Sequence, residues 1–166
     1  FAHENGCPWE VGTTCIAASN GHLECLKYAH THGCPWSVFT CSNTASAGYV
    51  QCLKYAHENG CFWGIDTCTR AASSGQLECL IYAHEQGCEW DADTCAAAAR
   101  YGHLDCLRYA HEHGCPWTIK TCFEAEKHGH KECLKYARKN GCGRDGQLTL
   151  WTKVKGLLRL SNSAQD

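Results

Sequence analysis

The chain has 166 residues, with 15 Lys and Arg against 17 Asp and Glu and a net charge of −2. That balance excludes the basic stripe a nucleic-acid binder needs and offers little to an anionic lipid surface. No apolar run approaches the length of a membrane span, so the partner expected is another protein. Sixteen cysteines and the absence of Met are the departures from ordinary composition. No secretory leader is visible, and a reducing intracellular compartment, cytoplasmic or nuclear, is the expectation.

From its first residue the chain runs in a fixed register. At a spacing of 27, Cys7, Cys34, Cys61, Cys88, Cys115 and Cys142 fall in one column, and Trp9, Trp36, Trp63, Trp90 and Trp117 in another. Cys25, Cys52, Cys79, Cys106 and Cys133 form a third, and Tyr28, Tyr55, Tyr82, Tyr109 and Tyr136 a fourth, each Tyr followed by Ala. So many columns in phase are the signature of a repeat array in which each unit buries its apolar face on its neighbours. Phe1 stands in the Tyr column, so the chain begins in mid-repeat and is expected to be a piece of a longer array.

Residues 94–115 show one unit. Thr94 is the expected N-cap of an Ala-rich first helix of about two turns, which Gly102 ends. A second helix is expected from His103 to His113, with Leu104, Leu107 and Ala110 at helical spacing and Gly114 as its C-terminal stop. Cys115, Pro116 and Trp117 then lead to Thr121, the next expected cap. The fold class that follows is an all-α solenoid of helix-turn-helix units, about five of them over residues 1–142.

The segments GHLECLKYAHTHG and GHLDCLRYAHEHG resemble the second-helix segment of ankyrin repeats, and the Thr and Ala pair of the first helix fit the same family. The similarity covers residues 2–142. The period is shorter than the ankyrin 33, so a tight loop is expected in place of the projecting β-hairpin. The Thr-Pro-Leu-His motif is missing, with Thr40-Cys41, Thr67-Cys68, Thr94-Cys95 and Thr121-Cys122 in its place. The chain is most similar to the short, Cys-rich Cys-Pro-Trp ankyrin-like repeats of large DNA viruses, algae and oomycetes. The resemblance implies a scaffold for protein–protein recognition that binds through its first-helix face and loop tips.

The cysteines admit three explanations. Disulfides suit small secreted domains without a core, and this chain has a repeating core. Cys is also a small apolar residue that buries readily, and a repeat copies any core residue into every unit. The third explanation, taken as the leading one, is a structural zinc in each unit. The Tyr-Ala-His column supplies an imidazole, and H-x3-C-x6-C-x10-C then offers one nitrogen and three sulfurs, the donor set of a closed tetrahedral shell. The candidate sets are His30, Cys34, Cys41 and Cys52; His57, Cys61, Cys68 and Cys79; His84, Cys88, Cys95 and Cys106; and His111, Cys115, Cys122 and Cys133. A fifth, shifted set is His3, Cys7, Cys15 and Cys25. At the far end Arg138, Thr149 and Leu160 replace three donors of the next set together, as a unit that works only when complete would require. A metal-buffering protein and a metal-free scaffold are the competing readings.

Toward the end of the array, Glu126 replaces an Ala column and Lys131 a Leu and Val column, which marks a unit with no full neighbour beyond it. Residues 143–166 are expected to hold a degenerate half-repeat, closing the core with Leu150, Trp151, Val154 and Leu158, and a polar tail. Every candidate nucleophile, acid or base recurs in each unit, whereas an active site is a unique constellation, so no enzyme is expected. Recognition should lie in the columns that vary. Those singled out are Phe39, Asp66, Arg70, Asp91, Asp93, Arg100 and Tyr101, in the loops after each Trp and on the first helices.

Overall fold

The structure is a computed structural model that describes residues 10, 12–64 and 66–143. Among these residues it is all helical, ten helices forming five pairs: α1 (Thr13–Ser19) with α2 (Leu23–Thr31), α3 (Thr40–Ala47) with α4 (Val50–Glu58), α5 (Thr67–Ser73) with α6 (Leu77–Glu85), α7 (Ala92–Tyr101) with α8 (Leu104–Glu112), and α9 (Ile119–Lys127) with α10 (Lys131–Lys139). The expected second helix from His103 to His113 is present, with those two residues as its caps. His3, Cys7 and the closing half-repeat lie outside the described residues.

Small side chains decide the layering. The first helices meet through Ala18, Ala45, Ala72 and Ala99, all fully buried, and consecutive first helices pack far more extensively than consecutive second helices do. The first helices therefore form the tighter, inner side of the array. Leu26, Leu53, Leu80 and Leu107, all at 0% exposure, run as a spine through the second helices. Each buried Leu side chain contributes about 2 kcal/mol of burial free energy, and the period copies that contribution into four units, with Leu134 of the fifth half-buried.

Glycine sets both turns of a unit. Gly102 closes α7 at φ 79° and Gly114 follows α8 at φ 84°, a left-handed backbone that costs glycine little. After α8 the Cys115 amide donates to the Ala110 carbonyl at 2.9 Å and the Gly114 amide to that of His111 at 3.1 Å. These are the two bonds of a Schellman stop.

The Thr column does not cap. α7 begins two residues before Thr94, with Asp91 accepting from the Asp93 amide at 2.9 Å, and α9 is capped in the same way by Thr118. Thr40, Thr67, Thr94 and Thr121 are wholly buried instead. Three of the hydroxyls bond to the preceding loop or the preceding unit: Thr40 accepts from the Ser37 amide at 3.2 Å, Thr67 donates to the Gly64 carbonyl at 2.9 Å, and Thr94 shares a 2.9 Å bond with Thr69, while the Thr121 hydroxyl is buried without a partner. A Thr before an Ala-rich run is compatible with a cap or with a buried hydroxyl, and only the loop conformation separates the two.

Candidate functional site

In the four expected zinc sets that lie wholly within the described residues, the donors do not converge. The His column turns its rings away from sulfur. His84 stacks on Trp90 with ring centroids 3.7 Å apart, and its Nδ1 shares a 3.1 Å hydrogen bond with the Tyr109 hydroxyl of the next unit. His30, His57 and His111 repeat this with Trp36 and Tyr55, Trp63 and Tyr82, and Trp117 and Tyr136. The imidazole is half-buried rather than a core residue in a Leu position. It fastens one unit to the next through a His–Trp–Tyr cluster. Burial, and the charge of nearby His113, hold His84 below the ordinary imidazole pKa, with Glu85 opposing.

The cysteines separate into distinct environments. Cys34, Cys61, Cys88 and Cys115 are buried where the loops begin. Cys41, Cys68, Cys95 and Cys122 lie in the first turn of the first helices, each directed back to the carbonyl 20 residues on: Cys41 to Cys61 at 3.7 Å, Cys68 to Cys88 at 3.7 Å, Cys95 to Cys115 at 4.0 Å and Cys122 to Cys142 at 3.6 Å. The sulfurs of Cys41 and Cys61 are 3.2 Å apart. Cys41 donates to Cys61, which raises the pKa of Cys41 and lowers that of Cys61. Cys52, Cys79, Cys106 and Cys133 are buried in the second helices, where desolvation pushes Cys79 up to about 12 and Cys106 up to about 11. Cys15 is buried and accepts from the Asn43 amide at 3.4 Å, while Cys25 is exposed.

Cys41 thus meets Cys61 of its own helix pair and not the Cys34 of its expected set. Among the described residues no three His, Cys, Asp or Glu side chains lie where they could share one ion, so the donors do not fit a repeated tetrahedral zinc shell. The end of the array now reads differently. Cys142 persists beside Arg138 because its partner is Cys122, on the upstream side.

The variable columns gather in two places. Phe39 and Asp66 line a cleft of about 440 Å³ between two loops, together with Trp36, Val38, Cys61 and Phe62. Val38, Phe39 and Phe62 are 76%, 56% and 88% exposed, an apolar ridge on an otherwise packed array. Arg70 is paired with Asp66 and also reaches Asn43 of the preceding unit at 3.4 Å. Asp93, Arg100 and Tyr101 line a shallower groove of about 270 Å³ on the first-helix face, beside Lys120 and Glu124. Asp93 pairs with Lys120 at 2.8 Å, and the Arg100 guanidinium lies 5.6 Å from the Tyr101 ring. Asp91 is occupied as the helix cap.

Two participants are missing from the expected set. Phe62 stands in a column otherwise occupied by Pro8, Pro35, Glu89 and Pro116, and an aromatic interrupting that column was the available signal. Glu124 is buried, its Oε2 3.4 Å from His128 Nε2 and 3.9 Å from Arg100 Nε; its column of Ile16, Asn43, Arg70 and Ala97 varies in every unit, and that variation was the available signal.

Neither a family model nor a curated protein sequence matches the chain. Among solved structures the fold is similar to that of the human ASB11 ankyrin repeat domain, with a TM-score of 0.67 and 19% identity over 78% of this chain and 69% of that one. At that identity the likeness is one of fold: an ankyrin-type solenoid without the strands of a hairpin among the described residues.

Proposed function

We propose that this ankyrin-type solenoid is a non-catalytic scaffold that docks a protein segment on the loop ridge of Val38, Phe39 and Phe62, with the Arg100–Tyr101 groove as a second contact. The carrying observation is the ridge itself. Three large apolar side chains stand exposed on one cleft, and a clustered exposed apolar patch is where protein partners bind. A mixed-charge groove beside it suits the polar rim of such an interface. No helix among the described residues is long and apolar enough to cross a membrane.

The repeated cysteines serve this scaffold as core. Buried thiols behave as small apolar side chains, and that reading needs no ion. Protein purified in reducing buffer should carry far less than one zinc per chain, and a chelator should leave its melting temperature unchanged. Four to five zinc ions per chain, lost together with the fold on chelation, would restore the repeated metal shell.

The docking test uses residues that neighbouring units already carry. Phe39→Asp copies Asp66 and Asp93, and Phe62→Glu copies Glu89, so both suit the backbone. Peptides selected from a library on the parent chain should lose about tenfold or more in affinity on the double variant, with helical content retained. Equal binding to parent and variant would move the docking site off the ridge.

A further inference from the structure

The chain holds sulfur pairs that the docking reading does not use. Cys41 and Cys61 lie 3.2 Å apart, sulfur to sulfur; Cys41 also points to the Cys61 carbonyl, and that thiol-to-carbonyl contact 20 residues on recurs at Cys68–Cys88, Cys95–Cys115 and Cys122–Cys142. One unit departs from this. Thr14 stands in the first-helix column and donates to the Pro35 carbonyl at 2.9 Å, so Cys34 has a hydroxyl where the later units have a thiol. The Cys41–Cys61 pair is set apart by its sulfur-to-sulfur contact, since Cys61 is as buried as Cys88, Cys115 and Cys142. Cys61 borders the apolar cleft between the loops, while Cys41 behind it is fully buried.

We propose that Cys41 and Cys61 form a thiol–disulfide exchange site, with Cys61 the thiol that meets a small-molecule disulfide entering the cleft and Cys41 the thiol that resolves it. The steps balance as ordinary exchange. Cys61, as thiolate, attacks one sulfur of the external disulfide, and one external thiol leaves with a proton. Cys41 then gives up its proton and attacks the Cys61 sulfur, and the second external thiol leaves carrying that proton. The dithiol is oxidised by two electrons, and the external disulfide is reduced to two thiols. A disulfide bond is about 2 Å long, so the two sulfurs need to approach by only about an ångström. Phe39 lies two residues before Cys41 and Phe62 one residue after Cys61. The new bond would therefore tie together the two loops that carry the ridge.

The test is peptide mass mapping of the full, reduced chain after incubation with oxidised glutathione, with free thiols alkylated first. The exposed Cys25 reports that the reagent is active. The expected result is a Cys41–Cys61 cross-link, two hydrogens lighter than the reduced pair, forming before any link in the other three pairs and reversed by dithiothreitol. In Cys41→Thr, which copies Thr14, Cys61 should instead accumulate as the mixed disulfide with glutathione. Cys41 and Cys61 both recovered as alkylated thiols when Cys25 is fully modified would overturn the proposal, as would Cys61 linked to Cys34 or a Cys61 that stays unreacted in Cys41→Thr. The parent chain alone decides the first two outcomes if the variant does not fold.

Discussion

The second-helix side and the loop ridge of this array obey opposite rules. On the second-helix side each unit repeats its neighbour: the same Leu spine, the same His–Trp–Tyr cluster, the same Gly stop. On the ridge the units diverge, and Phe39 and Phe62 stand in columns that elsewhere hold Asp, Lys, Gly, Pro or Glu. A side chain wedged between units must fit the units on both sides, so packing leaves few choices. A side chain at a loop tip touches little of its own fold, so its identity is free to serve a partner. Uniformity here reports stability, and variation marks the surface available for recognition.

The contrast can be broken most sharply by exchanging a residue in each region. Leu80→Ala removes a fully buried spine residue and should cost about 3 kcal/mol, read as a clear fall in the urea midpoint. Phe62→Glu, at 88% exposure, should stay within about 0.5 kcal/mol of the parent. Similar losses at the two sites would mean that the ridge is packed after all.

The two glycine turns of one unit offer a smaller difference. Gly102 and Gly114 both have positive φ, so Ala at either strains the backbone by about 1 kcal/mol. At Gly102 the added methyl also overlaps the His130 ring, whereas at Gly114 nothing lies within 4 Å. Gly102→Ala should therefore melt below Gly114→Ala, and the reverse order would remove the His130 contact from the account.

His84→Leu tests the fastening between units. It deletes the hydrogen bond to the Tyr109 hydroxyl and the stack on Trp90, so a loss of about 1 kcal/mol is expected. An unchanged or raised stability would return His84 to the status of a replaceable core residue.

The smallest expected effect is a pH dependence. The folded pKa of His84 lies below its ordinary value. The unfolded chain therefore takes up its proton first as pH falls. Its contribution is whole above about pH 6.5 and is lost as pH drops through the folded pKa. The melting temperature should fall less steeply between pH 7 and 5 in His84→Leu than in the parent, and identical slopes would assign the pH dependence to other groups.

By itself the sequence determined the 27-residue period, the two helices of each unit and the glycine stops between them. These are local matters, decided by helical spacing and by which residue tolerates a left-handed turn. The columns at Tyr109 and Trp90 were equally visible, as was the variability at Phe39 and Arg100. What only the tertiary structure decided is which columns meet. His84, Cys88, Cys95 and Cys106 read along the chain as one donor set, yet the His ring goes to Trp90 and Tyr109, and Cys95 goes to Cys115. A repeat places every column at the same spacing from every other, so spacing cannot tell a neighbour within a unit from one across the interface. That choice belongs to the loop conformations and to the packing of each helix pair against the next, and the same packing brought Phe39 beside Phe62 and Cys41 against Cys61.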